Sequence, residues 1–143
     1  MSYAGDITPE KAWEILTEHP DAVLVDVRTE GEWAHIGIPD TSSIERPAHF
    51  IEWVDGTGAR NPRFGEQLEQ VLADRPADAP VVFLCRSGQR SAHAATVATA
   101  AGITPSYNVL DGFEGGPDAF GQRGSTGWRA VGLPWRQALG DFA

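Results

Sequence analysis

An α/β fold with a mostly parallel central sheet is the expectation for this chain, and three observations carry it. Short β-branched runs, Val23-Leu24-Val25-Asp26-Val27 and Val81-Val82-Phe83-Leu84, alternate with segments of helical periodicity. Those runs are nearly continuous in apolar character, as in strands covered on both faces. The 143 residues are 41% hydrophobic and include five tryptophans and six phenylalanines, enough for one buried core. A single domain over residues 1–143 is therefore expected.

Taken in order, Thr8 is placed to cap a helix that opens at Pro9, and Ala12, Trp13, Ile15 and Leu16 form its apolar stripe up to about Pro20. The strand from Ala22 to Val27 follows. An irregular stretch then leads to a short strand expected within Phe50 to Val54 and a loop marked by Gly56, Gly58, Asn61 and Pro62. Phe64, Leu68, Val71 and Leu72 recur at helical spacing up to Arg75. The Val81–Leu84 strand runs straight into Cys85-Arg86-Ser87-Gly88-Gln89-Arg90. An alanine-rich helix from about Ser91 follows, with Gly102 placed to end it. Tyr107 to Leu110 is the last expected strand and Asp111-Gly112 a turn. Beyond it lies a glycine-rich C-terminal extension at about 115–143, with Trp128, Val131, Leu133 and Trp135 as its candidate anchors.

A formal net charge of -9 argues against nucleic acid or anionic membrane as a partner. No basic leader precedes an apolar stretch and no run has the length of a membrane span, so a cytoplasmic protein is expected. The four histidines are scattered without metal-site spacing, so no metal is expected. With one cysteine there is no intrachain disulfide, and the importance of Cys85 lies in reactivity or packing.

Reactivity is the better reading because of what surrounds Cys85. In open α/β sheets ligands bind beyond the carboxyl ends of the strands, and Cys85 ends one. The N–H groups of the loop Arg86, Ser87, Gly88, Gln89 and Arg90 can curl around an anion, Gly88 permits the tight turn, and the following helix directs its positive end at the same place. Helix start and arginine charge together favour the thiolate, the nucleophilic form. Arg86 and Arg90 are candidates to bind an oxyanionic substrate, whereas Ser87 and Gln89 offer at least their backbone N–H groups. Asp26, Arg28 and Glu32 read as structural, with Arg28 pairing either Glu32 or Asp26, and His93 reads as structural rather than as a general base.

The stretch Cys85-Arg86-Ser87-Gly88-Gln89-Arg90-Ser91 resembles the active-site loop of single-domain rhodaneses. Leu24-Val25-Asp26-Val27-Arg28 with Glu32, the Val109-Leu110 strand followed by Gly112, and a downstream tryptophan extend the resemblance over Thr8 to Trp135. It implies a rhodanese-like three-layer fold, its sheet flanked by helices, and a sulfurtransferase that moves a sulfane sulfur through a Cys85 persulfide. The implied partners are small molecules: thiosulfate or a related donor, and a thiol or cyanide acceptor, with a protein acceptor as an alternative. No cofactor beyond the transferred sulfur is implied. Where family members commonly carry His-Ile-Pro-Gly-Ala, this chain reads His35-Ile36-Gly37-Ile38-Pro39-Asp40-Thr41, a departure that bears on the acceptor surface.

Two rival functions stand beside this. Phosphatases related to the family place five residues between cysteine and arginine, whereas only Arg86, Ser87, Gly88 and Gln89 separate Cys85 from Arg90, which predicts a smaller cradle. The same fold also serves non-catalytic binding modules, against which the presence of Cys85 argues.

Overall fold

The computed structural model describes residues 2–138 and Gly140. A five-stranded, wholly parallel sheet forms the centre. Its strands are β1 (Gly5–Ile7), β2 (Val23–Asp26), β4 (Ala48–Phe50), β5 (Val81–Leu84) and β6 (Ser106–Val109), in the spatial order β1-β6-β5-β2-β4. A separate antiparallel pair joins β3 (Ile38–Pro39) to β7 (Trp135–Arg136). The helices are α1 (Pro9–Glu18), α2 (Glu30–Ile36), α3 (Phe64–Val71) and α4 (Gln89–Ala100).

The alternation of strand side chains sorts the core into two layers. Val23, Val25 and Val27 join Val81, Phe83 and Cys85 on one face, against Phe64 and Leu68 of α3 and Ala94, Ala95 and Ala98 of α4. Leu24, Val82 and Leu84 point the other way, against Ala12, Ile15 and Leu16 of α1, together with Phe113 and Trp128. The alanines of α4 let that helix lie close on the sheet, so its first turn sits directly over the end of β5.

Local sequence explains the helix boundaries. The Thr8 side chain accepts from the Lys11 N–H at 3.1 Å with Pro9 in the first turn. Thr29 and Glu32 form a capping box on α2. Gly102 adopts φ +88° just beyond α4, the conformation expected of a helix-ending glycine.

Several expectations shift. The strand expected within Phe50 to Val54 forms earlier, at Ala48–Phe50, because Ile51 and Trp53 donate instead to the carbonyls of Asp26 and Val27 while the chain turns toward the Val54–Arg60 bridge. The edge strand β1 has no apolar run to announce it. Of the proposed tail anchors only Trp128 is fully buried, donating from Nε1 to the Pro134 carbonyl at 2.8 Å, whereas Val131 and Trp135 are exposed. The extension itself is followed through residue 138 and at Gly140, its remaining positions lying outside the described residues.

Candidate active site

Cys85 follows β5 directly, and its sulfur faces the start of α4. The Gly88 N–H donates to Sγ at 3.1 Å, and the Ser91 hydroxyl lies 3.1 Å from the same atom. Gly88 caps α4 with φ +103°, and a Cβ there would lie 3.3 Å from the Val109 carbonyl, so a side chain is disfavoured both by conformation and by space. The N–H groups that open α4 have no carbonyl in a preceding turn and carry the positive end of the helix dipole toward the sulfur. Cys85 is only 1% exposed, yet the sulfur meets polar donors on its α4 side and is not sealed among hydrocarbon alone.

The carbonyl side of the loop is fixed from below. Phe113 N–H donates to the Cys85 carbonyl at 2.8 Å, and the Glu114 and Gly115 N–H groups both donate to the Arg86 carbonyl. Gly112 makes that approach feasible: it has φ +56°, and a Cβ would lie 2.4 Å from the Cys85 carbonyl oxygen. Residues 112–115 are thus the floor of the loop.

Both arginines are committed to carboxylates. Arg90 makes a two-pronged pair with Glu32, at 2.7 and 3.0 Å, and Arg86 Nε pairs with Glu114 at 3.1 Å. Burial pushes the Glu32 carboxyl upward, but the Arg90 hydrogen bonds and charge and the Thr29 contacts outweigh it and hold the group below the ordinary value. Burial opposes the Arg90 charge in turn, yet Glu32 raises its ionisation further. Glu32 was a candidate partner for Arg28. Arg28 instead closes on Asp26, its Nη2 2.7 Å from Oδ2, donates to the Gly37 carbonyl, and lies over the Phe113 ring at 4.2 Å. Both members of that pair are completely buried.

Behind the sulfur runs a chain of polar side chains that sequence reading did not single out. Ser91 Oγ lies 2.5 Å from Asn108 Oδ1; Asn108 Nδ2 donates to Asp6 Oδ1 at 2.9 Å and to the Gly88 carbonyl at 3.1 Å; the Tyr3 hydroxyl donates to Asp6 at 2.6 Å. That hydrogen bond to Asp6 raises the Tyr3 phenol above its ordinary value. The available signal was a serine in the first turn of a helix whose other inward positions are alanine; Asn108, within the mixed strand Ser106-Tyr107-Asn108-Val109, gave none. Ser87 lies in the loop, whereas Gln89 opens α4, two residues before the expected helix start near Ser91. His93 is exposed and stacks on the Trp53 ring, with centroids 6.3 Å apart and planes 7° from parallel.

Residues 8–116 match the model of the rhodanese-like domain. The chain belongs to the rhodanese-like family. One family relative, the Rickettsia conorii protein RC0915, is 35% identical over 131 residues, covering 92% of this chain and 96% of that protein. The crystal structure of Rv0390 from M. tuberculosis is 61% identical with TM-score 0.86, covering 94% of this chain and 98% of that one. The rhodanese-like fold also extends to the polysulfide-sulfur transferase homodimer from Wolinella succinogenes, at 26% identity and TM-score 0.57, over 94% of this chain and 79% of that one.

Proposed function

We propose that this rhodanese-like protein is a sulfurtransferase in which Cys85 carries a sulfane sulfur between a small anionic donor, such as thiosulfate, and a thiophilic acceptor. The observation that carries the reading is the Cys85 sulfur held at the start of α4, with the Gly88 N–H on it at 3.1 Å. Family membership and the similarity to a polysulfide-sulfur transferase support the same class of chemistry.

In the first step the Cys85 thiolate attacks the outer sulfur of thiosulfate. A sulfur–sulfur bond forms to Cys85, and the donor's own sulfur–sulfur bond breaks, its electron pair leaving with sulfite. The terminal sulfur of the resulting persulfide carries the negative charge one atom further into the loop, where backbone N–H groups and the helix dipole stabilise it. In the second step cyanide or a thiolate attacks that terminal sulfur and the Cys85 thiolate departs unchanged. Two half-reactions through a covalent intermediate give ping-pong kinetics. Shielding from bulk solvent protects the persulfide from adventitious reductants between them.

Arg86 and Arg90 support the site differently from a bare pair of cations. With Glu32 and Glu114 bound to them they fix the loop's shape, and attraction for the donor comes chiefly from backbone N–H groups and the helix terminus. The four-residue spacing from Cys85 to Arg90 gives a cradle suited to sulfur, so turnover of an aryl phosphate at a rate comparable to sulfur transfer would favour a phosphatase instead.

Intact-mass measurement after incubation with thiosulfate tests the proposal. The expected result is a gain of about 32 Da, removed by cyanide and mapped to Cys85. A protein that acquires no adduct, or a Cys85→Ala variant that transfers sulfur equally well, would favour a non-catalytic binding module.

A further inference from the structure

The polar chain behind Cys85 contains fewer protons than hydrogen-bond contacts. Asn108 Nδ2 faces two acceptors, Asp6 Oδ1 and the Gly88 carbonyl, so the amide's orientation is settled and its Oδ1 faces Ser91. Two oxygens 2.5 Å apart require a proton between them, and only the Ser91 hydroxyl can supply it. The same hydroxyl lies 3.1 Å from Cys85 Sγ. A serine has one hydroxyl proton and cannot donate to both.

We infer that Asn108, anchored by Asp6, is a positioning residue whose amide competes with Cys85 for the single proton of Ser91. With a neutral thiol, the S–H donates to Ser91 and Ser91 donates to Asn108, so every group is satisfied. With a thiolate, the serine proton is drawn toward sulfur and the close contact with Asn108 loses its bond. With a persulfide, Sγ carries neither a proton nor the full charge, and the serine proton returns to Asn108. The relay therefore stabilises the empty thiolate less than an uncontested serine would, and leaves it more nucleophilic, without penalising the loaded state. Asp6 strengthens the competition because a carboxylate accepting from Nδ2 polarises the amide and makes Oδ1 a better acceptor.

The inference deepens the role proposed for Cys85 and rests on it, but its test does not require sulfur transfer. The charged groups around the sulfur are Arg90 with Glu32, Arg86 with Glu114, Asp26 with Arg28 at the end of β2, and Asp6 behind Asn108, and Ser91→Ala and Asn108→Ala leave all of them in place. The rate of alkylation by iodoacetamide is measured against pH in both variants and in the double variant.

Asn108→Ala is expected to move the pH midpoint down by about one unit, the worth of one hydrogen bond to a charged group, because the serine is free to serve the thiolate. Ser91→Ala is expected to move it up, and the double variant to follow Ser91→Ala, since without the hydroxyl there is nothing to compete for. At a pH where both proteins are fully ionised, Asn108→Ala is expected to load sulfur from thiosulfate about threefold more slowly, because a more stabilised thiolate is a poorer nucleophile. Should Asn108→Ala not fold, Asn108→Leu, which also removes the amide and leaves every charged group in place, gives a shift of the same sign. Shifts of one sign in both single variants, a double variant that follows Asn108→Ala, or a uniform rise in rate with an unmoved midpoint would each overturn the competition. Absence of the sulfur adduct in the parent protein overturns the sulfurtransferase reading instead.

Discussion

Two parallel neighbours in the sheet end at the same edge and use their polar residues in opposite ways. At the end of β2, Asp26 and Arg28 bury both charges and close them on each other and on the Gly37 carbonyl. At the end of β5, in register one strand away, Cys85 is surrounded by groups that stop at its sulfur: one backbone N–H, one shared hydroxyl, and two arginines held off by their own glutamates. At the first end the two charges are paired within the chain, with only Arg28 Nη1 buried without a hydrogen-bond partner. At the second, the polar groups converge on the sulfur proposed to react. The difference teaches that buried charges already paired within the chain hold structure, whereas polar donors gathered on a lone sulfur are what the proposed chemistry would use.

The contrast predicts that the two ends fail in different assays. Cys85→Ala removes the sulfur proposed to react and is expected to reduce sulfur loading and transfer to background while the unfolding midpoint stays close to that of the parent protein. Arg28→Leu leaves Asp26 charged and unpartnered in the interior, and is expected to cost about 3–5 kcal/mol in denaturant unfolding; a loss confined to activity would show that the pair belongs to the site. Gly112→Ala couples the two assays. Its Cβ would collide with the Cys85 and Arg86 backbone, so loop distortion is expected to slow persulfide formation and to destabilise by about 1–3 kcal/mol, read from adduct kinetics and thermal unfolding together.

Smaller effects come from the glutamates that hold the arginines. Because the Glu32 carboxyl is depressed in the folded state, its stabilisation is present above the unfolded value, near 4.3, and is lost as pH falls through the lower folded value. Glu32→Gln is expected to lower stability at neutral pH by about 1 kcal/mol and to flatten the acid limb of the stability profile; an acid limb identical to that of the parent protein would refute the assignment. Glu114→Gln frees Arg86 and loosens the longer contact of the same carboxylate with Arg129 at 3.8 Å; it is expected to lower the KM for thiosulfate a fewfold, with kcat little changed, an effect that should shrink with added salt.

Legibility followed the range of the interactions. Thr8 and Pro9, the Val81–Leu84 strand, Cys85 and Gly88 are recognisable from a few neighbouring residues, because capping, strand alternation and tight turns are local. The alternatives open for Arg28, Asp26 and Glu32, lie two and four residues away and are both carboxylates, and packing chose Asp26. Asn108 resembles any polar residue near a strand end until β6 is placed beside β5. Tyr3 and Asp6 carry no signal at all, since β1 becomes a strand only by pairing with β6.

What residue order alone specified is the set of short-range devices: alternating strands and helices, a cysteine at a strand end, and a glycine-bearing loop running into an alanine-rich helix. Those follow from backbone preference and side-chain period within a dozen residues. Which carboxylate meets which guanidinium, and which amide reaches the serine beside the sulfur, depended on strand order, because Glu32 and Arg90 lie 58 residues apart and Asp6 and Asn108 lie 102 apart. Hydrogen bonds extend only about 3 Å, so such partners acquire meaning when the chain has folded them into contact.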